Sequence, residues 1–210
     1  IKAVKKGDTI FGNLHYYSDS ITEFWMIQDD DYELANSKSL TKLKDGFQSI
    51  NFNFKDINGR FISLNDEQFK NKVVVVQILG TWCPNCLDET QFFLSYIEEN
   101  PNQDLAFVGL SVEAAKTEER AMKRISNMID KFEIPYPILL AQYGSTDKEK
   151  FLEKIPMLEN IISYPTTIII DKSGKVNSIH TGFNGPATGQ AYIDYKNEFE
   201  TEIKGLLELQ

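Results

Sequence analysis

Two cysteines, Cys83 and Cys86, are the residues whose type and spacing could do chemistry, and they are the only cysteines among the 210 residues. Because they lie three positions apart, they cannot form the framework of several disulfides that staples small secreted domains. They make one local dithiol. The chemistry open to such a pair is thiol–disulfide exchange, in which a thiolate attacks a disulfide and the neighbouring thiol resolves the mixed disulfide.

The elements around the pair predict which cysteine attacks. A continuous β-branched run at Val73–Leu79 predicts a strand buried on both faces, and the stretch 87–99 has helical periodicity. Cys83 is therefore expected at a helix N-terminus, where unpaired N–H groups favour a thiolate. Pro84 suits the first helical turn, because a missing N–H costs nothing there. Cys86 lies about one turn further on, so we expect Cys83 to attack and Cys86 to resolve.

Three residues next to the cysteines are expected to support this chemistry. Trp82 would flank Cys83 and shield it partly from water, and Pro84 and Asn85, between the two cysteines, would tune the reduction potential. We expect no cofactor other than the redox-active Cys83–Cys86 disulfide itself.

A zinc site and a structural disulfide are the alternatives for such a pair. Zinc would require two further ligands, and the only histidines, His15 and His180, are far apart in sequence and lack the spacing of a structural zinc site. A structural disulfide that closes so short a loop would restrain the unfolded chain very little. We therefore interpret the pair as redox-active and expect no metal.

The overall charge and apolar content limit the classes of function. With 31 acidic and 22 basic residues the net charge is -9, which would repel nucleic acid and anionic membrane surfaces. The longest apolar run, Val73–Leu79, is far shorter than the ~20 residues of a membrane-spanning helix. The chain begins with Ile1 rather than methionine, so we expect a mature or truncated product, with room for a membrane anchor upstream.

The N-terminal part of the chain differs in composition from the rest. Aromatic and β-branched residues between 9 and 28 predict two short strands, with a turn at Ser18-Asp19-Ser20. A polar linker follows, and we place the domain boundary near Gly46. Residues 1–45 are thus predicted to be a β-rich segment and linker, which could be the end of a larger N-terminal domain.

Residues 46–210 predict a single α/β domain. A hairpin at 51–64 precedes an alternation of strands and helices that ends in a second hairpin and a closing helix. The predicted strands are 73–79, 105–111, 136–141, 166–170 and 175–180, and the predicted helices are 87–99, 117–132, 147–155 and 193–209. This order is typical of a central mixed β-sheet flanked by helices.

From about residue 52 to the C-terminus, the chain resembles the TlpA/ResA-like thiol–disulfide oxidoreductases, which are membrane-associated relatives of thioredoxin. The resemblance is carried by the sequences FKDING at 54–59, GTWCPNCLDE at 80–89 and YPTT at 164–167. It implies a thioredoxin-like fold. The stretch between Cys86 and Pro165 is longer than in a minimal thioredoxin and implies a βα insertion.

The resemblance also implies a role for Tyr164 and Pro165. Pro165 matches the cis-proline that faces the dithiol in this family, although from the residues alone a trans proline at the start of a strand would be the far commoner state. With a cis bond, the backbone of Tyr164 would be exposed to pair with an extended segment of a substrate protein.

Glu89 matches a position at which relatives often carry an acid close to the second cysteine. It lies three residues after Cys86, on the same face of the predicted helix. A partly buried carboxylate there could have a raised pKa and exchange a proton with Cys86. Alternatively, Asp88 and Glu89 could simply be acids that favour the first turns of a helix.

We therefore expect a protein disulfide oxidoreductase of the bacterial periplasm or cell envelope, acting as a reductase, monomeric, and with an unidentified electron donor. Its partners would be protein thiols and disulfides, and not nucleic acid. A peroxiredoxin-like peroxidase and a non-catalytic binding module of the same fold are the competing functions, although a peroxidase would use a lone peroxidatic cysteine instead of a dithiol.

Overall fold

A computed structural model describes residues 2–15, 21–32 and 35–209, which form two compact units. The first unit ends at Ala35 and the second begins at Asn36. Each unit has its own β-sheet.

The N-terminal unit is a three-stranded antiparallel sheet with the strands in chain order. Its strands are β1 (Lys2–Lys6), β2 (Thr9–His15) and β3 (Ile21–Ile27). The two strands predicted between residues 9 and 28 are present as β2 and β3. Strand β1 was not predicted, because it is mostly lysine, is exposed throughout and has no apolar alternation that would identify it. The predicted turn at 18–20 lies outside the described residues.

The second unit contains a seven-stranded sheet and the helices. The strands are β4 (Asn53–Lys55), β5 (Phe61–Ser63), β6 (Val73–Leu79), β7 (Leu105–Val112), β8 (Ile138–Gln142), β9 (Thr166–Ile170) and β10 (Val176–Thr181). The helices of the unit are α1 (Ser37–Leu40), α2 (Pro84–Glu99), α3 (Glu118–Phe132), α4 (Lys148–Leu152) and α5 (Gln190–Glu208). Each element predicted after residue 46 is present, with its ends shifted by a few residues. In the described part of the chain, no helix has the length and apolar character needed to cross a bilayer.

The sheet is mixed, as predicted. Its strand order is β10-β9-β6-β7-β8-β4-β5, with β6, β7 and β8 parallel and β9 antiparallel to β6. Strand β6 is buried at every position, which explains its unbroken apolar run. Alternate residues of β6 enter two apolar cores, one on the side of α2 and α5 and one on the side of α4. The central strand therefore fixes the position of the loop that follows it.

The second unit begins ten residues before the boundary placed near Gly46. The polar residues of 36–41 resemble a linker in sequence, but they bond to the sheet: the hydroxyl of Ser37 lies 2.8 Å from Nε2 of His180, and that of Thr181 donates to Thr41. Leu43 forms an isolated bridge with Leu158. Side-chain bonds to residues more than a hundred positions away give no local sequence signal.

Candidate active site

Cys83 and Cys86 are joined by a disulfide, with their Cα atoms 5.3 Å apart. Cys83 is the N-cap of α2, and its sulfur accepts a hydrogen bond from the backbone N–H of Cys86 at 3.2 Å. Pro84 occupies the first turn of the helix. The two sulfurs differ in access, because Cys83 retains 7% of its surface and Cys86 none. The predicted helix N-terminus is present, three residues earlier than the periodicity indicated.

Hydrogen bonds from the end of β7 hold the loop that leads into the dithiol. The backbone N–H and the hydroxyl of Thr81 donate to the carboxylate of Glu113 at 2.9 and 2.8 Å. The indole N–H of Trp82 donates to the carbonyl of Val112 at 2.8 Å. Gly80 is needed here, because a Cβ at this position would overlap the Trp82 ring. The ends of two parallel strands thus set the position of Cys83.

Three predicted residues surround the more accessible sulfur. The Tyr164–Pro165 peptide bond is cis, and the carbonyl oxygen of Tyr164 lies 3.8 Å from the sulfur of Cys83. The Trp82 ring meets the Tyr164 ring edge to face, with centroids 5.8 Å apart, and remains 41% exposed. These residues form the surface next to Cys83.

Asn85, the second residue between the cysteines, ties α2 to the loop after β10. Its side-chain amide donates to the carbonyl of Phe183 at 3.1 Å, and Phe183 packs against Phe92 of α2. Asn85 therefore anchors the other side of the disulfide.

Glu89 is wholly buried within α2, deeper than the partial burial expected. The side-chain amide of Gln77 donates both to the Glu89 carboxylate at 2.9 Å and to the carbonyl of Cys86 at 3.1 Å. Tyr195 of α5 donates its hydroxyl to the other carboxylate oxygen at 3.1 Å. The hydroxyl of Thr90 donates to the side-chain amide oxygen of Gln77 at 3.0 Å and so fixes the orientation of that amide. The carboxyl is thus linked to the backbone of Cys86 through the side chain of Gln77.

Burial raises the pKa of Glu89 to about 7, although the polar side chains of Gln77, Thr167 and Tyr195 work in the opposite direction. Burial also raises the pKa of Tyr195 well above its usual value, and the nearby carboxylate adds to the effect. Glu89 can therefore gain or lose a proton near neutral pH, whereas Tyr195 stays protonated. Asp88, the neighbouring acid, is exposed.

Gln77, Glu113 and Tyr195 belong to this arrangement and were not predicted from the sequence. Gln77 is the one polar residue in the apolar run of β6, and that interruption was the only available signal. Glu113 follows β7 directly, and Tyr195 lies on a helix 106 residues away from Glu89. In the sequence, Glu113 resembles an ordinary surface residue and Tyr195 an ordinary core residue, so neither gives a signal of its role.

The two histidines lie in different units, His15 in β2 and His180 in β10. Both ring nitrogens of His180 are used, since Nε2 contacts the Ser37 hydroxyl and Nδ1 lies 3.0 Å from the carbonyl of Gly182. Within the described ranges, no three His, Cys, Asp or Glu side chains are grouped as metal ligands would be.

Comparison with known proteins places this geometry in a family. The model of the Redoxin family matches residues 42–193. Thioredoxin-like protein YneN of Bacillus subtilis (strain 168) is 29% identical over 146 residues, which is 70% of this chain and 76% of the relative. Thiol-disulfide oxidoreductase ResA of the same organism is 26% identical over 155 residues, 74% of this chain and 75% of the relative.

A similar fold has also been solved. The structure of a thiol-disulfide oxidoreductase from Bacteroides fragilis NCTC 9343 matches with a TM-score of 0.53 at 16% identity, over 73% of this chain and 99% of that one. At this identity the match supports the thioredoxin-like fold alone. With the family model covering most of the second unit, the chain belongs to the Redoxin family and is a TlpA/ResA-like member of the thioredoxin superfamily.

Proposed function

We propose that this protein is a thiol–disulfide oxidoreductase that exchanges its Cys83–Cys86 pair with disulfides of envelope proteins, mainly as a reductase. The observation that carries the proposal is the asymmetry of the pair at the end of α2. Cys83 retains 7% of its surface next to Tyr164, whereas Cys86 is fully buried. A partner can therefore form a covalent bond only with Cys83.

The reaction transfers two electrons from the reduced pair to the partner. The Cys83 thiolate attacks one sulfur of the partner's disulfide, a bond forms between these sulfurs, and the second partner sulfur leaves as a thiolate. Cys86, as a thiolate, then attacks the sulfur of Cys83. The enzyme disulfide forms, and the partner leaves with both of its cysteines reduced. A separate dithiol donor must return the enzyme to its reduced state.

Two features favour the Cys83 thiolate. The N-terminus of α2 presents its partial positive charge at this position, and the backbone N–H of Cys86 donates directly to the sulfur. Both are properties of the main chain. The backbone of α2 therefore favours the thiolate form of Cys83, which is the form that attacks a disulfide.

The surface beside Cys83, formed by Trp82, Tyr164 and Pro165, would bind an extended segment of a partner protein. The backbone of Tyr164, next to the cis Pro165, would pair with such a segment as a short added strand. The exposed face of Trp82 would cover apolar residues next to the partner's cysteine. Backbone pairing of this kind does not depend on side chains, so it would admit several different partners.

Glu89 would accept the proton that Cys86 loses when it attacks Cys83. A carboxyl with a pKa of about 7 matches this task at neutral pH, because it is partly ionised and still binds a proton readily. Gln77, which bonds to both residues, holds them at a fixed separation. We assign Glu89 as the proton acceptor for the resolving step.

The proposed location is the bacterial cell envelope or periplasm, with room for a membrane anchor upstream and with a monomeric enzyme. Two considerations support it. The relatives carrying the same fold are bacterial thiol–disulfide proteins, and a redox pair that reduces other proteins has most use where disulfides persist. The electron donor would be another dithiol protein.

Trapping of mixed disulfides tests the proposal. Cys86→Ser should form a stable covalent adduct with a peptide that contains a disulfide, detected by intact mass spectrometry, because no sulfur remains to resolve it. The matched variant Cys83→Ser should form none. Adducts of equal yield in both variants would contradict the assigned roles.

The same assay separates the competing functions. A native disulfide that does not react with a reducing peptide would indicate a binding module. Undiminished consumption of hydrogen peroxide by Cys86→Ser would indicate a one-cysteine peroxidase. We expect a reducible bond and loss of turnover in both single variants.

A further inference from the structure

The proton that Glu89 accepts must also leave the protein. The described residues between Glu89 and the dithiol are buried, so they offer no direct contact with solvent. Glu89, Cys86, Gln77 and Thr90 retain at most 1% of their surface. A path from this carboxyl to solvent matters only if Glu89 is the proton acceptor, so the inference rests on that proposed role.

A small cavity lies on the opposite side of the carboxyl, between β9, β10 and α5. Its volume is about 20 Å³. Its inner end is formed by Thr167 and Tyr195, and Tyr195 donates a hydrogen bond to Glu89. Its outer end is formed by Lys38, Glu198 and Glu202. The lysine and Glu198 are partly exposed, so the cavity extends from the neighbourhood of Glu89 towards the surface.

Thr167 is the polar group that marks this cavity as a binding site. The residue is 1% exposed, and its hydroxyl has no hydrogen-bond partner of good geometry among the described residues. The hydroxyl is nevertheless close enough to Glu89 and Tyr195 to lower the pKa of each. A buried hydroxyl without a partner costs roughly 1 to 3 kcal/mol, and ordered water commonly supplies the missing bond.

We propose that this cavity binds one water molecule, which bonds to the Thr167 hydroxyl and carries protons between Glu89 and solvent. One water molecule needs a cavity of about 10 to 15 Å³, so the cavity volume of about 20 Å³ is large enough for one. Besides Thr167, the polar lining offers Tyr195, Ser178 and the outer carboxylates as further partners. A buried water molecule needs two to four polar partners, and the side chains just named can supply that number.

The transfer moves only protons. The protonated Glu89 gives its proton to the hydroxyl oxygen of Thr167 or Tyr195, which releases its own proton to the water. The water then passes a proton outward to the carboxylates at the mouth or to bulk solvent. Only O–H bonds break and form, so each hydroxyl remains neutral, and rotation about its C–O bond restores its starting orientation.

The other titratable groups around Glu89 and the cavity do not replace the water. Tyr136, which lies near Glu89 from the segment before β8, has a pKa raised far above neutral by burial. Burial lowers the pKa of His180, and both of its nitrogens are already bonded, so it stays neutral. At the mouth, the ammonium of Lys38 lies 3.2 Å from Glu198 and 3.5 Å from Glu202. These two carboxylates line the outer part of the cavity.

Thr167→Val tests the proposal, because it keeps the shape of the side chain and removes only the hydroxyl. The measurement is the rate at which Glu89 loses its proton after a rapid pH jump from about 5 to about 9, chosen to span its shifted pKa. The infrared band of the protonated carboxyl reports it, assigned by its absence in Glu89→Gln. We expect the rate to fall by at least about tenfold in Thr167→Val. Thr181→Val, which removes a buried hydroxyl bonded to Thr41, should leave it unchanged.

The outcomes separate this inference from the proposed function. If the carboxyl titrates in the wild type and Thr167→Val does not slow it, the water path is wrong and the role of Glu89 stands. If no carboxyl titrates across this range in the wild type, the role of Glu89 itself is wrong. Cross-relaxation between the Thr167 methyl group and bound water, measured by NMR, should be strong in the wild type. Its absence would also overturn the water site.

Discussion

A carboxyl can accept a proton from a thiol near neutral pH only if its own pKa is raised, and the surroundings of Glu89 raise it. Burial raises its pKa to about 7, whereas the polar groups of Gln77, Thr167 and Tyr195 keep it from rising further. Each of these groups is uncharged. The chemistry at the residue scale therefore depends on neutral neighbours that are themselves buried.

The shifted pKa of Glu89 has a cost in stability with a defined sign. Between pH about 4.5 and about 7 the unfolded carboxyl is ionised while the folded one retains its proton, so the free energy of unfolding falls as pH rises through this window. Glu89→Gln, which mimics the protonated form, should be more stable than the wild type at pH about 8 by up to about 3 kcal/mol. It should show little gain at pH about 4. Urea denaturation at the two pH values measures both.

The same substitution should change the pH dependence of the reaction. In the wild type, the rate at which the dithiol reduces a small disulfide should rise through an inflection near pH about 7, as Glu89 ionises and can accept the Cys86 proton. Glu89→Gln should lose this inflection. Asp88→Asn, which alters the more accessible neighbour, is the control and should retain it. Identical profiles for all three proteins would remove Glu89 from the mechanism.

The residues that the sequence identifies at this site are those whose partners are local. Cys83, Pro84 and Cys86 fall within one helical turn, so their spacing alone predicts their relation. Gln77 and Tyr195 reach Glu89 from a strand and from a distant helix, and their roles follow only from the folded chain. Periodicity predicts which side of a helix is buried, but not which polar groups meet there.

At the scale of elements, the reactive loop depends on strand ends more than on the helix that follows. The loop after β6 is hydrogen-bonded to Val112 and Glu113 at the end of β7. Because β6 and β7 are parallel neighbours, their carboxyl ends lie side by side, and the second strand can hold the loop of the first. Sequence patterns predicted both strands but could not predict this bracing.

Gly80→Ala tests the bracing. The added methyl group would overlap the Trp82 indole, so the bond between the indole N–H and the Val112 carbonyl should break and the ring should shift. Because Trp82 directly precedes Cys83, a shift of Trp82 would also displace Cys83. We expect the rate of reaction with a peptide disulfide to fall about tenfold to a hundredfold. Circular dichroism should show an unchanged fold. A change in tryptophan fluorescence would report the displaced ring.

Gly205→Ala is the matched control for that substitution. Gly205 lies within α5, and a Cβ there would meet nothing within 4 Å. The exchange should leave the reaction rate unchanged and raise stability slightly, since alanine favours helix by up to about 1 kcal/mol. An equal loss of rate in both variants would mean that the effect at Gly80 is not local.

At the scale of the whole chain, the second unit, which carries the dithiol, begins earlier than its composition suggests. Residues 36–45 look like a linker, yet they bond to β10 and to the segment that contains Leu158. The fold class, the α/β alternation and the site of the dithiol all follow from patterns in the sequence. The start of the unit does not, because it depends on contacts between distant parts of the chain.

Two truncated proteins test this boundary. A fragment that begins at Asn36 should fold and keep its stability, whereas one that begins at Gly46 should be less stable by about 2 to 4 kcal/mol. The loss would come from the buried Thr41 and from the bonds to His180 and Leu158. Chemical denaturation of the two fragments measures the difference. Equal stability would place the boundary near Gly46.

The burial of Cys86 beneath Cys83 has a consequence for how long any partner stays attached. Cys86 is tethered 5.3 Å away, Cα to Cα, so its local concentration far exceeds that of free thiols in the surroundings. Under the proposed mechanism, Cys86 would therefore release a bound partner without help from small thiols in the surroundings. A poorly fitting partner would also be released in this way, so it would not occupy the enzyme indefinitely.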